Sequence, residues 1–213
     1  MSKHWETLLD TPFLKVFDLK PAPGQHYYEA TRRSRECMAA GMSDAEFAGM
    51  TPDAVSCCVI WHEEGETPRI VLNREYRYPL GRTVISVPAG LIDPEDAGSG
   101  RETAVFTAAK RELYEETGIA MTDRDRIRMV NPCLFSSPGL TDESNAMVRI
   151  DLTGHRKEEL TQGHAEGTEK FEGFVLADAG EARKILREGG ISVYTWIGLA
   201  EFLYGGEEPE ALR

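Results

Sequence analysis

The run KRELYEETG, Lys110 to Gly118, places three glutamates and an arginine within nine residues. Glu112, Glu115 and Glu116 stand at relative positions 0, 3 and 4, so on a helix their carboxylates share one face. Like charges at that spacing repel and weaken an isolated helix. Either the face is a solvated acidic surface, or a cation holds the acids together. A hard divalent ion such as Mg²⁺ takes oxygen ligands, and one or two carboxylates hold it while it binds the phosphates of a substrate. Arg111 stands beside the acids, where its fork of donors can orient a carboxylate.

Such a cluster needs an anchored helix. Val105, Ala109 and Leu113 recur every fourth residue as an apolar stripe on the opposite side. Ser99 followed by Glu102 has the pattern of a capping box, and Gly118 supplies the stop expected just past a helix end. Upstream, FLKVFDLK and QHYYEATRR, separated by the turn PAPG, predict an N-terminal hairpin. SDAEFAGM is a short helix or loop. AVSCCVIW and RIVLNREY predict adjacent strands, and TVISVPAGLI a further strand that runs into a Pro-Ala-Gly bend. Strands follow at about 127–135, 145–151 and 171–177, and GEARKILREG and SVYTWIGLAEFLYG predict closing helices. The class is α/β. Composition divides the chain into an N-terminal segment, 1–50, and a larger domain, 51–213.

Bulk properties narrow the chemistry. The chain has 213 residues, 36 acidic against 24 basic, and a net charge of -12. That balance argues against nucleic acid as a partner, because binding its phosphates needs a basic face. No apolar run approaches the ~20 residues of a membrane span, and the start lacks the layout of a signal peptide. Cys37, Cys57, Cys58 and Cys133 contain no CxxC pair and read as reduced thiols, so a cytoplasmic protein is expected. An acidic chain repels an anionic substrate unless a bound cation inverts the local sign.

The wider context resembles the Nudix hydrolase family. Its box reads Gly, five residues, Glu, seven residues, then Arg-Glu-apolar-x-Glu-Glu-x-Gly-apolar. Arg111, Glu112, Leu113, Glu115, Glu116, Gly118 and Ile119 match the second half, and Gly90 matches the first glycine. Gly90 to Arg111 spans 111 − 90 = 21 positions where the box has 14, so PEDAGSG is an insertion of seven. The box's first glutamate falls on Thr103, beside Glu102. The resemblance implies a Nudix fold, a mixed sheet sandwiched between helices. It implies Mg²⁺ or Mn²⁺ held by Glu112, Glu115, Glu116 and the carbonyl of Ala89, with Arg111 and Glu116 in the catalytic set.

YEATRR, REYRYP, VPAGLID and SSPGLTDE follow the order seen in the family's ADP-ribose pyrophosphatases. That likeness implies hydrolysis of a nucleoside diphosphate sugar, ADP-ribose first, by a homodimer with exchanged N-terminal strands. It implies Tyr28 stacked on the base, Arg33 and Arg77 facing the diphosphate, Gly90 and Leu91 beside it, and Pro138, Gly139 and Glu143 lining the sugar. The subfamily often carries a glutamate where this chain has Ser86. Its catalytic base comes from a loop before a late strand, here GHAEGTEKFEGFVL. Glu169 is the first choice, Glu166 the second and Glu172 the third. Another sugar nucleotide such as GDP-mannose, and a non-hydrolytic ligand-binding module, are the rival readings.

Overall fold

The computed structural model describes residues 5–93, 96, 100–162 and 170–205. The expected hairpin is present and larger than the sequence pattern suggests. β1 (Glu6–Asp10), β2 (Lys15–Asp18) and β3 (Tyr28–Thr31) form a three-stranded antiparallel sheet. β1 carries no alternation and is exposed along its whole length, which is why its sequence gave no strand signal. The sheet leans on the loop after residue 136. The Ala30 amide donates to the Leu140 carbonyl at 2.9 Å, and the Tyr27 hydroxyl to the Gly139 carbonyl at 3.0 Å. SDAEFAGM resolves to α1 (Asp44–Gly49), which starts at a Ser43–Glu46 capping box.

A seven-stranded mixed sheet forms the body. β4 (Ala54–His62) lies at its centre. β5 (Arg69–Arg77) pairs with it antiparallel on one side, and β9 (Ser144–Thr153) parallel on the other. β8 (Arg126–Phe135) and β10 (Phe171–Ala177) complete the order β10-β5-β4-β9-β8. The segment expected as one strand before the acidic helix is two. β6 (Arg82–Ser86) pairs with β5, and β7 (Ala89–Leu91) pairs with β4. Pro88 between them has no N–H for a ladder, so the chain can change partners there.

Helices cover both faces. From α2 (Arg101–Thr117), Val105, Ala109 and Leu113 pack on Val55, Cys57, Val59 and Val71. On the other face, α3 (Ala179–Glu188) and α4 (Val193–Tyr204) bring Ala182 and Leu199 against Cys58, Ile60, Ile70 and Leu72. The adjacent cysteines therefore enter opposite cores, as strand alternation requires. All four cysteines are free. α2 stops as expected: Gly118 has φ 74°, and its amide donates to the Tyr114 carbonyl at 2.8 Å. Its start differs from expectation. Gly100 occupies the N-cap with no side-chain cap, and Ser99 lies outside the described residues. No helix among the described residues is long and apolar enough to cross a membrane.

Candidate active site

Glu112 and Glu116, one turn apart on α2, are only 6% and 3% exposed. Ionised carboxylates are buried at high cost unless polar groups surround them. Asn73 of β5 donates its side-chain amide to Glu116, and the backbone amide of Ala89 reaches the other Glu116 oxygen at 3.3 Å. Arg111 holds Glu112 at 2.7 Å and Glu115 at 3.1 Å, and donates to the Leu91 carbonyl at 2.8 Å. Asp93 and Asp96 lie 3.3 and 3.5 Å from the same guanidinium. Burial works against the charge of Arg111, but Glu112, then Glu115 and Asp93, outweigh it and hold its pKa above the ordinary arginine value. Arg111 is thus a permanent cationic clamp and no source of protons.

The Pro-Ala-Gly bend closes the site from the sheet side. A Cβ on Gly90 would meet the Glu112 carboxylate at 2.0 Å, so only glycine leaves room for that acid. Cys57 lies directly beneath. Burial, then Glu116 and Glu112, push its thiol well above the ordinary value and keep it a neutral floor.

The donor set is all oxygen and suits a hard divalent cation. Glu112 and Glu116 supply two buried carboxylates, and Glu112 fills the space beside Gly90. Among the described residues, no three acidic, His or Cys side chains gather as a ready metal shell, and Glu112 and Glu115 are both turned to Arg111. Two carboxylates with water and substrate oxygens are nevertheless the usual way a protein holds Mg²⁺.

The sequence model of the NUDIX domain matches residues 50–211. The chain belongs to the Nudix family. A Caenorhabditis elegans protein named nudix hydrolase 2 is 41% identical over 106 residues, covering 50% of this chain and 43% of the relative. The ADP-ribose pyrophosphatase of Saccharomyces cerevisiae is 32% identical over 94 residues, covering 44% and 36%. That of Bacillus subtilis is 34% identical over 92 residues, covering 43% and 42%. The matches thus span under half the length of these relatives. A solved structure described as an ADP compounds hydrolase superposes with a TM-score of 0.55 at 18% identity, covering 95% of this chain and 92% of that one. The mixed sheet between helices is a Nudix fold.

The remaining expected residues of this Nudix chain fall at several separate places. Ala89 and Gly90 meet the box acids, Ala89 through its amide, while the Leu91 carbonyl accepts from Arg111. The Arg33 side chain is 12% exposed, holding Asp53 at 2.8 Å, Ser144 at 3.1 Å and the Thr51 carbonyl at 3.2 Å. Its contacts brace the loop that carries Pro138, Gly139 and Glu143. Glu143 pairs with Arg32 at 3.0 Å, and Pro138 lines a cavity of about 350 Å³ with Tyr27, Phe47, Phe135 and Leu140. Tyr28 is exposed and stacks on His26, with ring centroids 6.2 Å apart. Glu166 and Glu169 lie outside the described residues; Glu172 is exposed on β10. Glu102 and Thr103 are exposed in the first turn of α2.

One acid was missed by sequence reasoning. Glu75 on β5 is 7% exposed, accepts from Ser86 at 3.0 Å and pairs with Arg77 at 2.8 Å. Its signal is alternation: Glu75 shares one face of β5 with Val71, which is core, and with Asn73 and Arg77.

Proposed function

We propose that this chain hydrolyses the pyrophosphate bond of a nucleoside diphosphate sugar, with Mg²⁺ or Mn²⁺ held at Glu112 and Glu116. ADP-ribose is the first choice. Water adds across the P–O–P bridge, one phosphoryl group leaving as AMP and the other as ribose 5-phosphate. The observation that carries this reading is the pair of buried carboxylates one turn apart, one of them packed into the space that Gly90 leaves open. The names of the yeast and Bacillus relatives support the substrate.

A divalent cation bound there would polarise the phosphoryl oxygens and offset charge on the leaving group. The chain's own residues prepare the place. Arg111 fixes Glu112 and Glu115, while Asn73 and the Ala89 amide fix Glu116. Gly90 lets the substrate side of the helix meet the sheet. Arg77 and Arg33 are the cations assigned to the diphosphate. Pro138, Gly139 and Glu143 line the sugar side, and Tyr28 offers a ring to the base. Glu169, then Glu166, is the acid assigned to take the proton of the attacking water.

The same reading makes residues 1–50 a dimerisation segment and 51–213 the hydrolase domain. Its support is the apolar surface of the N-terminal sheet: Leu8, Leu9, Phe13 and Leu14 are all exposed. Two copies of this chain would cover it. The test is incubation with ADP-ribose and Mg²⁺, with AMP and ribose 5-phosphate followed by chromatography beside GDP-mannose. Release of AMP supports the reading; binding of ADP-ribose without turnover overturns it.

A further inference from the structure

We infer that Glu75 is a positioning residue that aims Arg77 at the diphosphate of the bound nucleotide. The inference rests on the pyrophosphatase reading for its ligand, and on β5 for its geometry.

Val71, Asn73, Glu75 and Arg77 follow one another on one face of β5, and the first two meet α2. Val71 is buried in the core there, and Asn73 donates to Glu116. Glu75 and Arg77 continue the row outward. At ~3.4 Å per residue, the Cα of Arg77 stands roughly 14 Å beyond that of Asn73. From there a free arginine has every reason to extend into water, where its charge is hydrated. It does not. Its guanidinium folds back along the strand and meets Glu75 at 2.8 Å.

Glu75 does this from a protected position. It is 7% exposed, whereas the Arg77 side chain is 48% exposed. Its Oε2 accepts both Arg77 and the Ser86 hydroxyl, 3.0 Å away on β6. Ser86 stands opposite Asn73 in the ladder, so the chain Ser86–Glu75–Arg77 is built into the β5–β6 pairing. A buried carboxylate is a poor device for stability alone, because desolvation cancels most of its attraction to a half-exposed partner. It is a good device for fixing a direction. Arg111, the arginine at the box acids, is spent on Glu112, Glu115 and Leu91. Arg77 keeps donors free for an anion, and its planar fork suits two phosphate oxygens.

The distinguishing measurement is a double-mutant cycle on ADP affinity in the presence of Mg²⁺, by calorimetry. ADP carries the diphosphate and needs no turnover to report. Glu75→Gln and Arg77→Ala are each expected to weaken ADP about 10-fold, as loss of one aimed charge-assisted contact does. The double variant is expected to be no weaker than Arg77→Ala, because Glu75 acts only through Arg77. Glu75→Asp keeps the carboxylate and restores at least half of the loss in logarithmic terms. Unchanged melting temperatures of the single variants exclude collapse of β5. Equal effects of Glu75→Gln with and without Arg77, or no effect on ADP, overturn the inference. Wild-type chain that binds no ADP overturns it too. Failure of the pyrophosphatase reading is read separately, as absence of AMP from ADP-ribose.

Discussion

The Cβ that Gly90 lacks would fall 2.0 Å from the carboxyl carbon of Glu112. The bend and the acid therefore share one volume. The obstructed group is the far end of a flexible side chain, so it can swing away at small cost to the fold. Gly90→Ala is accordingly expected to lower kcat at least ~10-fold, because a misplacement of about 1 Å is enough for that. Its melting temperature should stay within a few degrees of wild type. A variant that keeps full activity shows that the position of Glu112 is immaterial.

Glu112 and Glu116 differ in what holds them, and the difference is testable. Glu112→Gln leaves Arg111 with Glu115, Asp93 and Asp96 nearby, and Glu116→Gln leaves Asn73 facing an amide. Each is expected to lower kcat at least ~100-fold, the scale of removing a charge aligned on the reacting phosphoryl group. Both should remain folded by circular dichroism. Calorimetric titration with Mn²⁺ should show weaker binding in each. Wild-type turnover in protein stripped with EDTA, without added metal, contradicts the assignment.

Parts of this structure could be read directly from residue order, and parts could not. Val105, Ala109 and Leu113 are buried and Gly118 takes the left-handed conformation, because a helix encodes its faces in a local period. The break at Pro88 was visible as turn chemistry, but the exchange of β5 for β4 as partner was not, since pairing between distant strands leaves no local mark. Ser86 looked like a missing acid. It lies against one instead, because Glu75 supplies the carboxylate from the neighbouring strand. β1 leaves no mark in the residue order because an exposed edge strand needs no alternation.

Glu166 and Glu169 come from sequence alone, and single substitutions decide between them. If Glu169 takes the proton of the attacking water, Glu169→Gln loses at least ~100-fold in kcat, changes KM little, and loses the acidic limb of the pH profile. Glu166→Gln and Glu172→Gln should then stay within about threefold of wild type. The same loss moved to Glu166→Gln reassigns the base to it. Small effects in all three remove the loop from the chemistry.

Glu29 gives a prediction about pH and stability. It is 6% exposed on β3, and one carboxylate oxygen has no hydrogen-bond partner. Burial first, and the charge of Asp142 second, push its pKa from 4.5 up to about 7. Between those values the unfolded chain has released this proton while the folded chain still holds it. The unfolded state then binds fewer protons, so the contribution of Glu29 to stability falls as pH rises through that window and levels off above the folded pKa. Glu29→Gln removes the ionisation and keeps the shape. The Gln variant should therefore melt close to wild type at about pH 5 and several degrees above it at about pH 8. Asp142 accepts from the Ala39 amide and lies 3.9 Å from Arg33, contacts that both proteins keep. Melting curves across that range settle the matter: a difference between the two proteins that does not grow with pH means that Glu29 ionises in the folded state as readily as in water.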